Sequence, residues 1–201
     1  MKKAIILIDG ENFRFKVEDI LTSAKLNLNK IDFSRIELDQ LINHVLSTFK
    51  DIEIVEKRYY SAKIHNVKET GSKSQELINL QRRLKKNLEN QGFTFIMAGN
   101  VRPQRVKLDG KEKIIFREKG VDVRIAVDMV VMALDKQVDT IILCSSDSDL
   151  QPAVKEVGSR KVEVIYLGFS QNPNKGLTYT TNQTVLFRNP EVIKFIPKRE
   201  I

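Results

Sequence analysis

The residues in this chain best suited to chemistry are aspartates that follow, or begin, apolar segments. They are Asp9 after residues 4–8, Asp147 and Asp149 after residues 140–144, and Asp122 near the start of residues 121–134. In open parallel sheets, ligands bind beyond the carboxyl ends of the strands. Carboxylates that gather at that edge repel one another unless a cation compensates their charge. The pattern therefore predicts a divalent-metal site of the phosphodiesterase type.

Short apolar runs and amphipathic segments are the elements that must position these aspartates. Apolar runs without alternation are typical of buried parallel strands. We expect strands at 3–9, 52–62, 93–98, 140–144 and 162–167, and helices near 34–49, 74–90, 121–134 and 150–159. Strands that alternate with helices predict an α/β fold, namely a three-layer, doubly wound, mainly parallel, Rossmann-like sheet.

Two of these helices carry more specific predictions. Ser34 and Glu37 have the spacing of a capping box, which would begin the helix that runs to about Phe49. Residues 121–134 are apolar almost all round, which predicts a central buried helix.

Residues 100–118 predict an insertion into the sheet. The segments 101–108 and 111–116 flank Asp109-Gly110, a strong signal for a two-residue hairpin turn. We expect this basic hairpin to project from a domain of residues 1–170. Residues 171–201 are expected to form a C-terminal extension that packs on the same domain.

Positive charge is concentrated in the middle of the chain. Residues 57–119 hold 16 Lys/Arg and 6 Asp/Glu, a net charge of +10, whereas the whole chain carries +8. A localised basic surface suggests a polyanionic partner such as nucleic acid, and a solvated helix face is the alternative. The candidate nucleic-acid-binding residues are Arg82, Arg83, Lys85, Lys86, Arg102, Arg105, Lys107, Lys111, Lys113 and Lys119.

The composition excludes several other classes of protein. The single Cys144 excludes an internal disulfide and a cysteine-based zinc site, and it favours a reducing, cytoplasmic setting. No run approaches the roughly 18 apolar residues that span a bilayer, so we expect no membrane partner. The oligomeric state is left open, and a homodimer is compatible with the sequence.

Three motifs that carry the aspartates occur in the order found in NYN domains. They are IDGENF at 8–13, KGVDV at 119–123 followed by Asp128, and SSDSDL at 145–150. Over residues 3–168 the chain resembles this PIN-like, FEN-related nuclease family, which includes the LabA group of bacterial proteins. Ser146 replaces the glycine usual in the third motif, a change of turn geometry rather than of a ligand. The resemblance implies a metal-dependent nuclease that uses Mg²⁺ or Mn²⁺, favours RNA over DNA and leaves 5′-phosphates.

Under this resemblance, Asp9 would be the central metal ligand, with Asp122 and Asp147 as further catalytic ligands. Asp149 would either bind the metal through a water molecule or cap the next helix. Asn12 would be a catalytic neighbour that hydrogen-bonds Asp9 or the scissile phosphate. Structural roles stay open for each of them: Asp9 as a turn former, Asn12 as a helix cap and Asp122 as a first-turn acid.

Asp128 is harder to place. It follows Asp122 by six residues, about 240° around a helix, so the two cannot face one pocket from the same regular helix. Asp128 could support the site from an outer shell, or it could simply pair with Arg124, four residues earlier. Ser145 and Ser146 are expected to hold the turn before Asp147 through backbone hydrogen bonds.

Two other functions compete with a nuclease. One is a nucleic-acid-binding module of the same fold with little or no turnover. The other is an aspartate-based phosphatase for small substrates, although Asp9-Gly10-Glu11 lacks the second aspartate that such haloacid-dehalogenase-like enzymes carry two positions on. Tyr59, Tyr60 and Phe116 could stack on bases, and core packing is at least as well supported.

Overall fold

The computed structural model describes residues 1–66, 72–108 and 111–197, without the side chains of residues 108 and 111–113. Within this part of the chain, seven strands form one sheet and helices cover both of its faces. The strands are β1 (Lys2–Asp9), β2 (Ile52–Ile64), β3 (Thr94–Leu108), β4 (Lys111–Lys119), β5 (Thr140–Cys144), β6 (Glu163–Phe169) and β7 (Gln183–Phe187). The helices are α1 (Gly10–Ser23), α2 (Leu38–Leu46), α3 (Ser72–Asn90), α4 (Val121–Leu134), α5 (Gln151–Ser159), α6 (Lys175–Thr180) and α7 (Asn189–Lys194).

The strand order is β4-β3-β2-β1-β5-β6-β7, and every neighbouring pair is parallel except β3 with β4. The predicted doubly wound α/β sheet is therefore confirmed. The order reverses at β1, which pairs with β2 on one side and with β5 on the other. Such a switch point opens a crevice beyond the carboxyl ends of the strands.

Strand β1 is buried on both faces, which explains its uninterrupted apolar sequence. Ile6 and Ile8 pack in the layer that contains α1, α2, α3 and α7. Ile5 and Leu7 pack against the opposite layer, formed by α4, α5 and α6. A strand covered in this way holds its last residue, Asp9, at a fixed depth in the molecule.

The third predicted strand and the first arm of the predicted hairpin are one continuous strand. β3 pairs with β2 up to Val101, and from Asn100 to Leu108 it pairs with the antiparallel β4. The β3–β4 ribbon therefore projects beyond the carboxyl edge of the parallel strands. The predicted turn, Asp109-Gly110, lies outside the described residues.

Two helix predictions were wrong. The capping box is not formed, because Asp32 caps a short 3-10 helix at 33–35 and the α-helix begins only at Leu38. The helix at 121–134 is not buried all round, since it lies in an outer layer. Its exposed apolar side chains are Val123, Val127, Val131 and Leu134. None of the helices formed by the described residues combines the length and apolarity that crossing a membrane requires.

The contact between the start of α1 and strand β2 requires glycine at position 10. A Cβ atom there would lie 2.5 Å from the carbonyl oxygen of Tyr60 and would overlap the ring of Tyr59. Tyr59 also donates its hydroxyl to the Gly10 carbonyl oxygen at 3.1 Å. The glycine between Asp9 and Glu11 thus allows β2 to pass directly beside the end of β1.

We expect Gly10→Ala to lower the free energy of unfolding by about 1–3 kcal/mol, since backbone and a buried ring would have to move. The matched control is Gly158→Ala in α5, where an added Cβ meets nothing within 4 Å. That change should raise the free energy of unfolding by about 0.5–1 kcal/mol. Urea unfolding of both variants measures the difference, and equal stabilities would contradict the proposed close approach.

Candidate active site

An acidic pocket lies beyond the carboxyl ends of β1 and β5, at the switch point of the sheet. Its volume is about 350 Å³. The lining residues are Asp9, Glu11, Asn12, Phe15, Glu118, Lys119, Gly120, Val121, Asp122 and Asp147. The structure thus brings together Asp9, Asn12, Asp122 and Asp147, which were predicted from sequence.

Asp9 is the most constrained carboxylate of the pocket, with only 6% of its surface exposed. One oxygen caps α1 by accepting the backbone N–H of Asn12 at 3.1 Å, and the other accepts the Ser145 hydroxyl at 3.1 Å. Burial raises the pKa of Asp9 to about 6, the two hydrogen bonds oppose this rise, and the charges of Asp147 and Glu11 add to it.

The turn after β5 is held by a network centred on Ser145 and Asn12. Ser145 Oγ accepts the Asp147 N–H at 3.1 Å, and Asn12 Oδ1 accepts the Ser146 N–H at 2.9 Å. Asn174 supports the same turn by donating its amide to the Ser146 carbonyl oxygen at 2.8 Å. Because the side-chain oxygen of Asn12 is occupied in this way, its NH2 group is the donor left for a ligand.

Glu118 and Asp122 reach the pocket because β4 runs back toward the parallel strands. Gly120 connects β4 to α4 with a φ of 93°, and a Cβ atom added to Gly120 would lie 3.6 Å from the Cα of Gly99. Burial raises the pKa of Glu118 to about 8, with further contributions from Glu11, Asp9 and Asp122. Glu118, Glu11 and Phe15 also line the pocket, and none of them was predicted from the sequence.

Asp128 lies away from the pocket, although it shares α4 with Asp122. Its carboxylate accepts the Tyr60 hydroxyl at 2.8 Å and Arg124 Nε at 2.8 Å, and Arg58 Nη1 lies 3.5 Å away. Three donors thus compensate a carboxylate that is 9% exposed. This placement supports the structural or outer-shell alternative for Asp128.

Asp149 is exposed and is not among the described residues that line the pocket. Its backbone N–H donates to Asp147 Oδ1 at 2.9 Å, and it lies in a short 3-10 helix at 148–150 that Asp147 caps. Cys144 is buried in β5, and burial raises the pKa of its thiol. A neutral, buried thiol is a poor nucleophile.

The predicted nucleic-acid-binding residues differ in their relation to the pocket. Lys119 lines it, whereas Lys85 is partly engaged with Glu89, at 3.7 Å. The side chains of Lys111 and Lys113 lie outside the described part of the structure. The exposed members of the set are Arg82, Arg83, Lys86, Arg102, Arg105, Lys107 and Lys119.

The predicted base-stacking tyrosines belong to the core. Tyr59 stacks on Phe95 with ring centroids 5.4 Å apart, and Tyr60 packs on the opposite side of the sheet. Burial raises the pKa of both hydroxyls. Phe116 is partly buried, with the Lys73 ammonium group 5.6 Å from its ring centroid.

The donor chemistry of the pocket fits a hard divalent cation. Five carboxylates line it, and their burial and mutual repulsion raise the pKa values of Asp9 and Glu118. Within the described residues, no three His, Cys, Asp or Glu side chains are close enough to hold one ion together. Mg²⁺ does not require such a cage, because it is usually held by one or two carboxylates, waters and substrate phosphates.

The raised pKa of Asp9 predicts how metal-free stability depends on pH. The unfolded carboxyl loses its proton near pH 3.8 and the folded one near pH 6, so the free energy of unfolding falls as pH rises through this window. Asp9→Asn keeps a capping oxygen without the charge, and it should stabilise the metal-free protein at pH 8 by about 1–3 kcal/mol.

Urea unfolding at pH 4 and pH 8, with a chelator present, measures this effect. The gain in free energy of unfolding from Asp9→Asn should be largest at pH 8 and small at pH 4. The control, Asp19→Asn at an exposed position of α1, should show no such gain at either pH. A destabilised Asp9→Asn variant at pH 8 would contradict the electrostatic account.

The comparisons with known proteins agree with this architecture. The crystal structure of a protein of unknown function from Vibrio parahaemolyticus superposes with a TM-score of 0.59 and 21% identity, covering 98% of this chain and 96% of that one. At that identity the likeness concerns the fold. No curated protein showed significant similarity to the sequence. The NYN domain family matches residues 3–186, and this chain therefore belongs to the NYN domain family.

Proposed function

We propose that this protein is a metal-dependent nuclease that hydrolyses phosphodiester bonds of nucleic acid, with RNA favoured over DNA. The observation that carries the proposal is the acidic pocket at the switch point of an NYN fold. NYN domains are generally nucleases, and a polyanion can enter a pocket of carboxylates only if cations accompany it. The preference for RNA over DNA is inferred from the usual substrates of the family.

Asp9, Asp122 and Asp147 are the proposed ligands of Mg²⁺ or Mn²⁺, and Asp149 would contribute through water. When bound, such an ion lowers the pKa of a coordinated water and stabilises the leaving oxygen. Ser145 holds Asp9 in place, and the NH2 group of Asn12 is positioned to donate to a phosphate oxygen.

The β3–β4 ribbon is the proposed path of the nucleic-acid backbone. Asn100 pairs with Lys119 at the pocket, and the next pair on the same face, Arg102 with Arg117, places two exposed cations directly opposite each other. Like charges in that position are unfavourable without an anion between them. Lys111 and Lys113 pair at positions of the same face and would continue the path, whereas Arg105 and Lys107 occupy positions of the opposite face. Those two residues, with Arg82, Arg83, Lys85 and Lys86 of α3, would add phosphate contacts beside the path.

A binding module with little turnover is the second candidate, because the exposed Arg102 and Arg117 of the ribbon would bind nucleic acid whether or not the carboxylates hold an ion. Cleavage separates the two functions directly. We expect labelled single-stranded RNA to be cut with Mg²⁺ or Mn²⁺ and not with a chelator, because the carboxylates alone repel the phosphate.

Asp9→Asn and Asp147→Asn should each reduce the rate of cleavage by about 100-fold or more, since each removes charge that holds the ion. The control is Asp19→Asn, which lies on α1 outside the set of residues that line the pocket and should cut like the wild type. Salt-sensitive RNA binding with no metal-dependent cutting would favour the binding module. Hydrolysis of small phosphate esters alone would favour the phosphatase.

Replacing both ribbon arginines tests the proposed path. Arg102→Gln with Arg117→Gln should weaken RNA binding and lower the slope of log Kd against log salt by about 1.4, because two phosphate contacts on a single strand are lost. The control, Lys136→Gln with Lys155→Gln, removes two exposed cations, one from the turn after α4 and one from α5. Equal slopes for both double variants would place the backbone elsewhere.

A further inference from the structure

Phe15 is the one aromatic side chain among the described residues that line the acidic pocket, and 53% of its surface is exposed. It belongs to α1, whose buried residues Phe13, Val17, Ile20 and Leu21 face the core. Packing therefore does not explain a phenylalanine at this position. Residues four and three positions apart share a helix face, so Glu11, Asn12 and Phe15 line the pocket together.

The ring of Phe15 is also held in place. The guanidinium carbon of Arg14 lies 4.8 Å from the ring centroid, a cation–π contact. Arg14 is in turn fixed by Glu11 at 3.0 Å and by Glu18 at 2.5 Å. The Phe15 ring is therefore in contact with a fixed cation and, at the same time, lines the pocket.

We propose that Phe15 is a stacking platform for an unpaired nucleobase next to the scissile phosphate, and that it thereby selects single-stranded nucleic acid. The inference rests on the proposed nuclease function. In a nucleic acid, the base is the uncharged planar group nearest to a phosphate, because only one sugar separates the two. A base inside a duplex is stacked on both faces, whereas an unpaired one is available to an aromatic side chain.

Single exposed apolar side chains are common on protein surfaces. The effect of removing Phe15 must therefore be compared with the effect of removing an exposed ring that lies elsewhere. Tyr179 in α6 offers the matched control. It is 88% exposed and is not among the residues that line the pocket. A general effect of losing an exposed ring would appear equally in both positions.

The experiment measures binding of a short single-stranded RNA and of its duplex form, in an Asp147→Asn background that should not cut them. The RNA carries one 2-aminopurine, moved from position to position, whose fluorescence is quenched when it stacks. With Phe15 present, quenching should peak at one or two adjacent positions of the single strand. Phe15→Ala should abolish this peak and weaken single-strand binding about 5- to 100-fold, with duplex binding unchanged.

Phe15→Leu keeps an apolar side chain without a π face and should behave like Phe15→Ala, whereas Phe15→Trp should restore quenching and affinity. Tyr179→Ala should match the background. The proposal is overturned if Phe15→Leu retains full affinity, or if Phe15→Ala weakens single-strand and duplex binding equally. Cleavage is measured separately, with Asp147 in place. Either result above leaves the nuclease function standing if that protein cuts RNA with metal, whereas absence of both RNA binding and cleavage would overturn the nuclease function itself.

Discussion

The arrangement of the site depends on one constrained charge, the carboxylate of Asp9 at the end of a strand buried on both faces. Three elements meet on its two oxygens, because β1 carries it, α1 is capped by it and the turn after β5 donates to it through Ser145. A buried carboxylate favours its neutral form unless charge or hydrogen bonds compensate. Two hydrogen bonds leave its pKa still raised to about 6. The fold thus holds a position at which a cation is favourable.

The second constraint is the reversed direction of β4. A parallel strand in its place would carry residues 118–122 away from the pocket, since its carboxyl end would lie at the far end of the ribbon. Running antiparallel, β4 ends level with Asn100 and delivers Glu118, Lys119 and Asp122 to the switch point. The same reversal places a basic ribbon and an acidic pocket side by side. A polyanion held on the ribbon would therefore extend into the carboxylates.

The sequence was most informative where local pattern decides structure. Asp9, Asp122 and Asp147 were identified because each follows or begins an apolar segment, and such segments form the central strands and α4. Glu118 and Phe15 were missed, because only the antiparallel return of β4 and the orientation of α1 bring them to the pocket. The exposed face of α4 was missed for a related reason: an all-apolar helix pattern does not reveal which side a neighbouring element covers.

Asp128 shows how a residue outside the pocket can determine the geometry inside it. A helix that packs on a sheet only through apolar side chains could rotate or slide with little change in buried area. The hydrogen bond from Tyr60 and the nearby Arg58, both on β2, hold the Asp128 face of α4 toward that strand, and Arg124 supports the carboxylate from within α4. Since Asp122 lies about 240° away around the same helix, fixing one carboxylate toward the sheet turns the other toward the pocket. The angle of about 240° between the two side chains keeps Asp128 from sharing an ion with Asp122. The same separation lets the contacts of Asp128 set the direction in which Asp122 points.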